Sequence, residues 1–146
     1  ASELIGVESK RYEPFRSKPA AGLSPAYDRP VWGERMAPYE AMRDALRREP
    51  RRFRRLDAVQ LVKHAFGLVT EARRLGRAPV LLYLYAEPEE AEGALLRAHR
   101  EEVETFAEAV AGAEVAFRAI SYRAWLATWT GPAAAHAAAI LAAFRP

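Results

Sequence analysis

The chain has 146 residues, 51% of them apolar and 28% charged, the size and balance of a single globular domain that can bury a core. It contains no cysteine, which excludes disulfides and thiolate metal sites and favours a reducing, cytoplasmic setting. No apolar run approaches the ~18 residues a bilayer requires, and no basic segment followed by an apolar stretch marks a leader, so no membrane partner is expected.

The net charge of +3 hides an asymmetry. Residues 1–79 carry 17 Lys/Arg against 10 Asp/Glu, a balance of +7, and residues 80–146 carry 5 against 9, a balance of −4. A basic half points to a polyanionic partner. Only Lys10, Lys18 and Lys63 are lysines. The arginine and alanine richness also fits a bias in genome composition, which weakens the charge argument.

In chain order, Leu4-Ile5-Gly6-Val7 leads as a short apolar strand into Glu8-Ser9-Lys10. Strand side chains alternate faces, so Leu4, Gly6, Glu8 and Lys10 share one face, with Ile5, Val7 and Ser9 on the other. Residues 11–37 hold Pro14, Pro19, Gly22, Pro25, Pro30 and Gly33, a density of breakers that predicts a long loop. Its Tyr12, Phe15, Tyr27 and Trp32 predict that the loop packs on the body. A helix is expected from Pro38 to about Arg48, with proline at its first turn. A second begins near Asp57, an N-cap with Gln60 at the third position. Leu61, Ala65, Leu68, Val69 and Ala72 recur at helical spacing up to the stop at Gly76. Pro79–Tyr85 is a continuous apolar run, the signature of a strand covered on both faces.

A long amphipathic helix is predicted over Glu89–Ala111, with Leu95, Ala98, Val103, Phe106 and Val110 inward. A strand follows over Glu114–Tyr122. Residues 125–129 read as irregular or helical, with Trp125 and Trp129 packing in the core, and a terminal alanine-rich helix runs over Pro132–Phe144. The order favours an α/β domain. The strands near 80–85 and 114–121, joined by a helix, should run parallel with a right-handed crossover.

Three groups could carry chemistry. Glu8 and Lys10 project from one strand face, the geometry of a carboxylate holding a divalent cation beside an ammonium that orients water or phosphate. E-x-K is also common by chance, and its plainer reading is an ion pair on an edge strand. Gln60 and His64 lie four apart on one helix face beside Lys63, a pattern that also fits surface or capping groups. Arg43, Arg47, Arg48, Arg51, Arg52, Arg54 and Arg55 cluster just before that helix, and arginine forks suit phosphate. The plainer reading there is a solvated basic turn. His64, His99 and His136 show no metal-ligand spacing, and there is no phosphate loop or nucleophile elbow.

Together, the strand Ile5-Gly6-Val7-Glu8-Ser9-Lys10, the helix bearing Gln60-x-x-x-His64 and the strand Val80–Tyr85 resemble the restriction-endonuclease-like PD-(D/E)xK nuclease superfamily, in a bacterial branch of it. The resemblance implies a restriction-endonuclease-like core, a mixed sheet flanked by helices, in one domain over 1–146. It implies a metal-dependent nuclease acting on DNA with Mg²⁺ or Mn²⁺. Glu8 would be the metal ligand, and Lys10, Gln60 and His64 would complete the catalytic set. Arg47, Arg48, Arg51, Arg52, Arg54, Arg55 and Lys63 would hold nucleic acid. Some members carry Tyr where His64 stands. The family's metal-binding Asp lies on a strand before E-x-K, whereas only seven residues precede Glu8, and Asp28 and Asp57 lie downstream of it. On this resemblance, either the chain is the C-terminal part of a longer domain, lacking the strands upstream of Glu8, or it has lost the metal site. The alternative is a catalytically inactive, nuclease-derived nucleic-acid-binding or interaction module. A homo-oligomer is compatible with either.

Overall fold

A computed structural model of the chain describes residues 2–16 and 22–146. Three strands, β1 (Glu3–Lys10), β2 (Ala78–Tyr85) and β3 (Ala116–Ser121), form one sheet in the order β1-β2-β3. Both pairings are parallel, with Glu8 opposite Tyr83, Lys10 opposite Tyr85 and Leu81 opposite Phe117. The mixed sheet expected from the family resemblance is thus replaced, among the described residues, by a parallel one. The reason is topological: β1 to β2 and β2 to β3 are each joined by a helical crossover that returns the chain to the same end of the sheet.

Among the described residues, five α-helices pack around the sheet or extend from it: α1 (Ala37–Arg48), α2 (Ala58–Leu75), α3 (Gly93–Ala109), α4 (Tyr122–Leu126) and α5 (Pro132–Phe144). The helix expected from Glu89 begins four residues later, at Gly93. The proline-rich loop holds short 3-10 turns at Glu13–Phe15, Pro25–Asp28 and Glu34–Met36. Residues 17–21, with Lys18 and Pro19 among them, lie outside the described residues. As its aromatics predict, the loop packs inward. Trp32 is buried and stacks on Phe66 at 4.4 Å between centroids, with Tyr27 on the same ring at 6.0 Å.

α2 is the central support. Leu61, Val62, Ala65, Phe66 and Val69 are fully buried, one stripe at helical spacing. Its N-terminus is capped as the sequence predicts, Asp57 Oδ1 accepting from the Gln60 backbone N–H at 3.2 Å. Its C-terminus ends on Gly76, whose φ of 63° is left-handed, a conformation that only glycine adopts without strain. Gly6 lets α2 lie close to β1: a Cβ there would meet Leu68 Cδ2 at 3.3 Å. Asp57→Ala should cost about 1 kcal/mol, through the lost cap, read as a lower urea midpoint at unchanged slope.

The sheet face carrying Gly6, Glu8, Leu81, Tyr83 and Phe117 meets α2 and α3. The other face is only partly covered. Val80 and Leu84 are buried and Ser9 Oγ hydrogen-bonds Tyr122 of α4, while Ile5 and Val7 on the edge strand stay 50% and 53% exposed. Trp125 and Trp129, expected in the core, are only half-buried. α4 ends at Leu126, so the two do not share a helix; they touch edge-on at 5.0 Å, and Trp129 stacks on the exposed His136. A helix of five residues can bury one side chain well, and here that is Leu126. No helix among the described residues is long and apolar enough to cross a membrane.

Candidate functional site

The C-terminal end of β1 and the first turns of α2 bring Glu8, Lys10, Asp57, Gln60 and His64 into one cluster. The strand alternation turns Glu8 and Lys10 toward α2, as predicted, and the cap at Asp57 sets the helix phase so that Gln60 and His64 face them. Lys10 Nζ lies 2.8 Å from Glu8 Oε1, and His64 Nδ1 lies 2.9 Å from Glu8 Oε2. Gln60 Nε2 lies 2.8 Å from His64 Nε2. An amide N–H only donates, so His64 Nε2 accepts and the ring proton resides on Nδ1, which donates to Glu8. His64 links the other two, its Nδ1 on Glu8 and its Nε2 on Gln60.

Asp57 joins the cluster from the opposite direction, its Oδ2 at 3.8 Å from Lys10 Nζ. Sequence reasoning assigned it only to capping. The signal was its place one turn before Gln60, on the face that carries the polar groups. Glu8 is 8% exposed, so this is an ion pair on an edge strand that has been drawn under a helix. Burial works against the charge on Lys10. The hydrogen bond and attraction of Glu8, with Asp57 and Glu13 beyond, outweigh it and raise the Lys10 pKa above its ordinary value. The ammonium therefore stays charged. Behind Glu8 on β2, Tyr83 is buried and meets His99 Nε2 with its hydroxyl at 2.8 Å. Burial, more than the nearby charges, pushes the Tyr83 hydroxyl far above its ordinary pKa.

A divalent cation fits these residues poorly. Both Glu8 oxygens already accept from cationic or N–H partners, and an ammonium 2.8 Å away repels a metal. Among the described residues no three His, Cys, Asp or Glu side chains are grouped to hold one. What the cluster does offer is the charge of Lys10 and the remaining amide N–H of Gln60, held by His64, at one edge of the sheet.

The arginines divide into two groups. Arg43 is buried, pairing with Asp44 at 2.8 Å and donating to the Tyr27 carbonyl at 2.7 Å. Arg47, expected to hold nucleic acid, pairs with Asp28 and donates to the Ser24 carbonyl. It ties α1 to the loop, because Pro25–Asp28 folds back over that helix. Arg48, Arg51, Arg52, Arg54 and Arg55 form no ion pair among the described residues. They occupy the end of α1 and the turn that runs into Asp57, with an open depression lined by Glu49, Pro50, Arg51 and Arg52. Lys63 is half-buried on α2, also without an ion pair there. The fold and site define a small parallel α/β domain with a neutralised Glu-Lys-His-Gln cluster beside a basic turn. No protein-family model, curated protein or solved structure matches the chain.

Proposed function

We propose that this chain is a nuclease-like domain that binds nucleic acid, DNA first among candidates, by its phosphate backbone. The observation that carries the reading is that Arg48, Arg51, Arg52, Arg54 and Arg55, immediately before the α2 cap, form no ion pair among the described residues. A strand of phosphates lying on that turn is led toward Lys10, Gln60 and His64. Lys10 then supplies a fixed positive charge, and the second amide N–H of Gln60 supplies a donor, to a phosphate at the sheet edge, while His64 holds Gln60 in place. None of this reads bases, so sequence-independent binding is expected.

Hydrolysis is the second reading, favoured by the convergence of Glu8, Lys10, Gln60 and His64 from elements about fifty residues apart. Mg²⁺ or Mn²⁺, once bound, would supply Lewis-acid activation of water and phosphate. Glu8 is the ligand this chain contributes, and a further carboxylate would be required. Anisotropy titration of a labelled short duplex should show binding whose log affinity falls linearly with log salt. Absence of binding at low salt overturns the proposal. In parallel, incubation of residues 1–146 with duplex and Mg²⁺ or Mn²⁺ should release no product above background. Cleavage abolished by Glu8→Ala would instead select the hydrolytic reading.

A further inference from the structure

Glu102 of α3 stands against the basic turn yet pairs with none of its guanidiniums. Its Oε1 accepts from the Arg54 backbone N–H at 2.8 Å, and its Oε2 accepts from those of Arg55 and Leu56 at 2.8 and 2.7 Å. Three successive main-chain N–H groups thus converge on one carboxylate, a concave arrangement that suits an anion. The consequence is twofold. The turn is fixed at its main chain, directly before the Asp57 cap. The Arg54 and Arg55 side chains form no ion pair among the described residues, since the Glu102 carboxylate accepts from the backbone instead.

We infer that Glu102 is a positioning residue for polyanion binding: it holds the turn in one shape so that its arginines meet successive phosphates already arranged. This rests on the nucleic-acid-binding reading above and adds to it a consequence of opposite sign to simple electrostatics. Removing an acidic group from beside a basic patch strengthens binding if charge alone acts. Removing Glu102 frees three N–H groups and loosens the turn, and the ordering of that segment must then be met on binding, which weakens it.

The experiment measures duplex affinity at two salt concentrations for the full chain, Glu102→Ala and Glu102→Gln, with hydrogen exchange followed at the amides of residues 54–56. Glu102→Ala is expected to bind ~10-fold more weakly, on the order of one ordering cost, with faster exchange at those amides. Glu102→Gln keeps an acceptor for one side of the turn and sets an NH₂ against the other; it should fall between. If Glu102→Ala does not fold, Glu102→Gln decides alone, because the charge account makes it a tighter binder and the positioning account a weaker one. Equal or tighter binding by the folded variants overturns the inference and leaves the binding reading standing. No binding by the unaltered chain overturns both.

Discussion

Replacing Arg51, Arg52, Arg54 and Arg55 together by alanine should weaken duplex binding by at least ~100-fold at moderate ionic strength. Each phosphate contact contributes about 0.9 to the slope of log affinity against log salt. Four lost contacts would flatten that slope by about 3–4, and two by about 2. The effect should be large because none of the four is ion-paired among the described residues, so no internal attraction has to be broken before phosphate is met. Stability should change little, since Arg51, Arg52 and Arg54 are exposed, and exposed charges seldom contribute more than about 1 kcal/mol. Arg47→Ala makes the contrasting control. It removes a tie to Asp28 and the Ser24 carbonyl, so it should loosen the loop while leaving the salt slope nearly unchanged. An unaltered affinity and slope in the fourfold variant would reduce the patch to a solvated turn.

Glu8→Gln should destabilise the chain by about 1–3 kcal/mol, less than for a fully buried pair because solvent still reaches this one. The substitution leaves the Lys10 ammonium with Asp57, 3.8 Å away, and the more distant Glu13, and turns an NH₂ or a weaker acceptor toward Lys10 and His64. The sign carries the meaning. A carboxylate held in readiness for a metal sits among other acids and repels them, so its removal stabilises; a carboxylate saturated by Lys10 and His64 does the opposite. The pH dependence follows from Lys10. Its pKa is raised in the folded chain by Glu8, against the opposing effect of burial. That contribution is fully present below the unfolded lysine value of about 10.4 and is lost as pH rises through the higher folded value. The stabilities of the two proteins should therefore converge in strong alkali. Urea midpoints at neutral and alkaline pH measure both effects, and a stabilised Glu8→Gln would mark Glu8 as a functional carboxylate under strain.

Much of this architecture is local and was legible as such. The α2 stripe, its Asp57 cap and its Gly76 stop depend on residues within a few positions of one another, and the alternation of β1 fixes Glu8 and Lys10 on one face whatever covers them. That Glu8 and Lys10 would share a site with Gln60 and His64 was an expectation from the family resemblance, since strand alternation and capping fix faces within an element and not the packing between elements. Other features had no local trace. Whether Glu8 meets a metal or is neutralised depends on His64, which reaches it across 56 positions of sequence. Glu102 meets its three amides across separations of 46–48, and His99 is buried against Tyr83 because α3 crosses β2 at that level. The two kinds of arginine are indistinguishable in sequence. Arg47 pairs with Asp28 because the Pro25–Asp28 turn folds back over one side of α1, whereas Arg48 forms no ion pair among the described residues. Periodicity and capping are set by short-range sterics and backbone hydrogen bonds, so composition and spacing determine them. Which polar groups neutralise one another is set by the register of β1 on β2 and by where α2, α3 and the loop come to rest, and that only the packed tertiary structure decides.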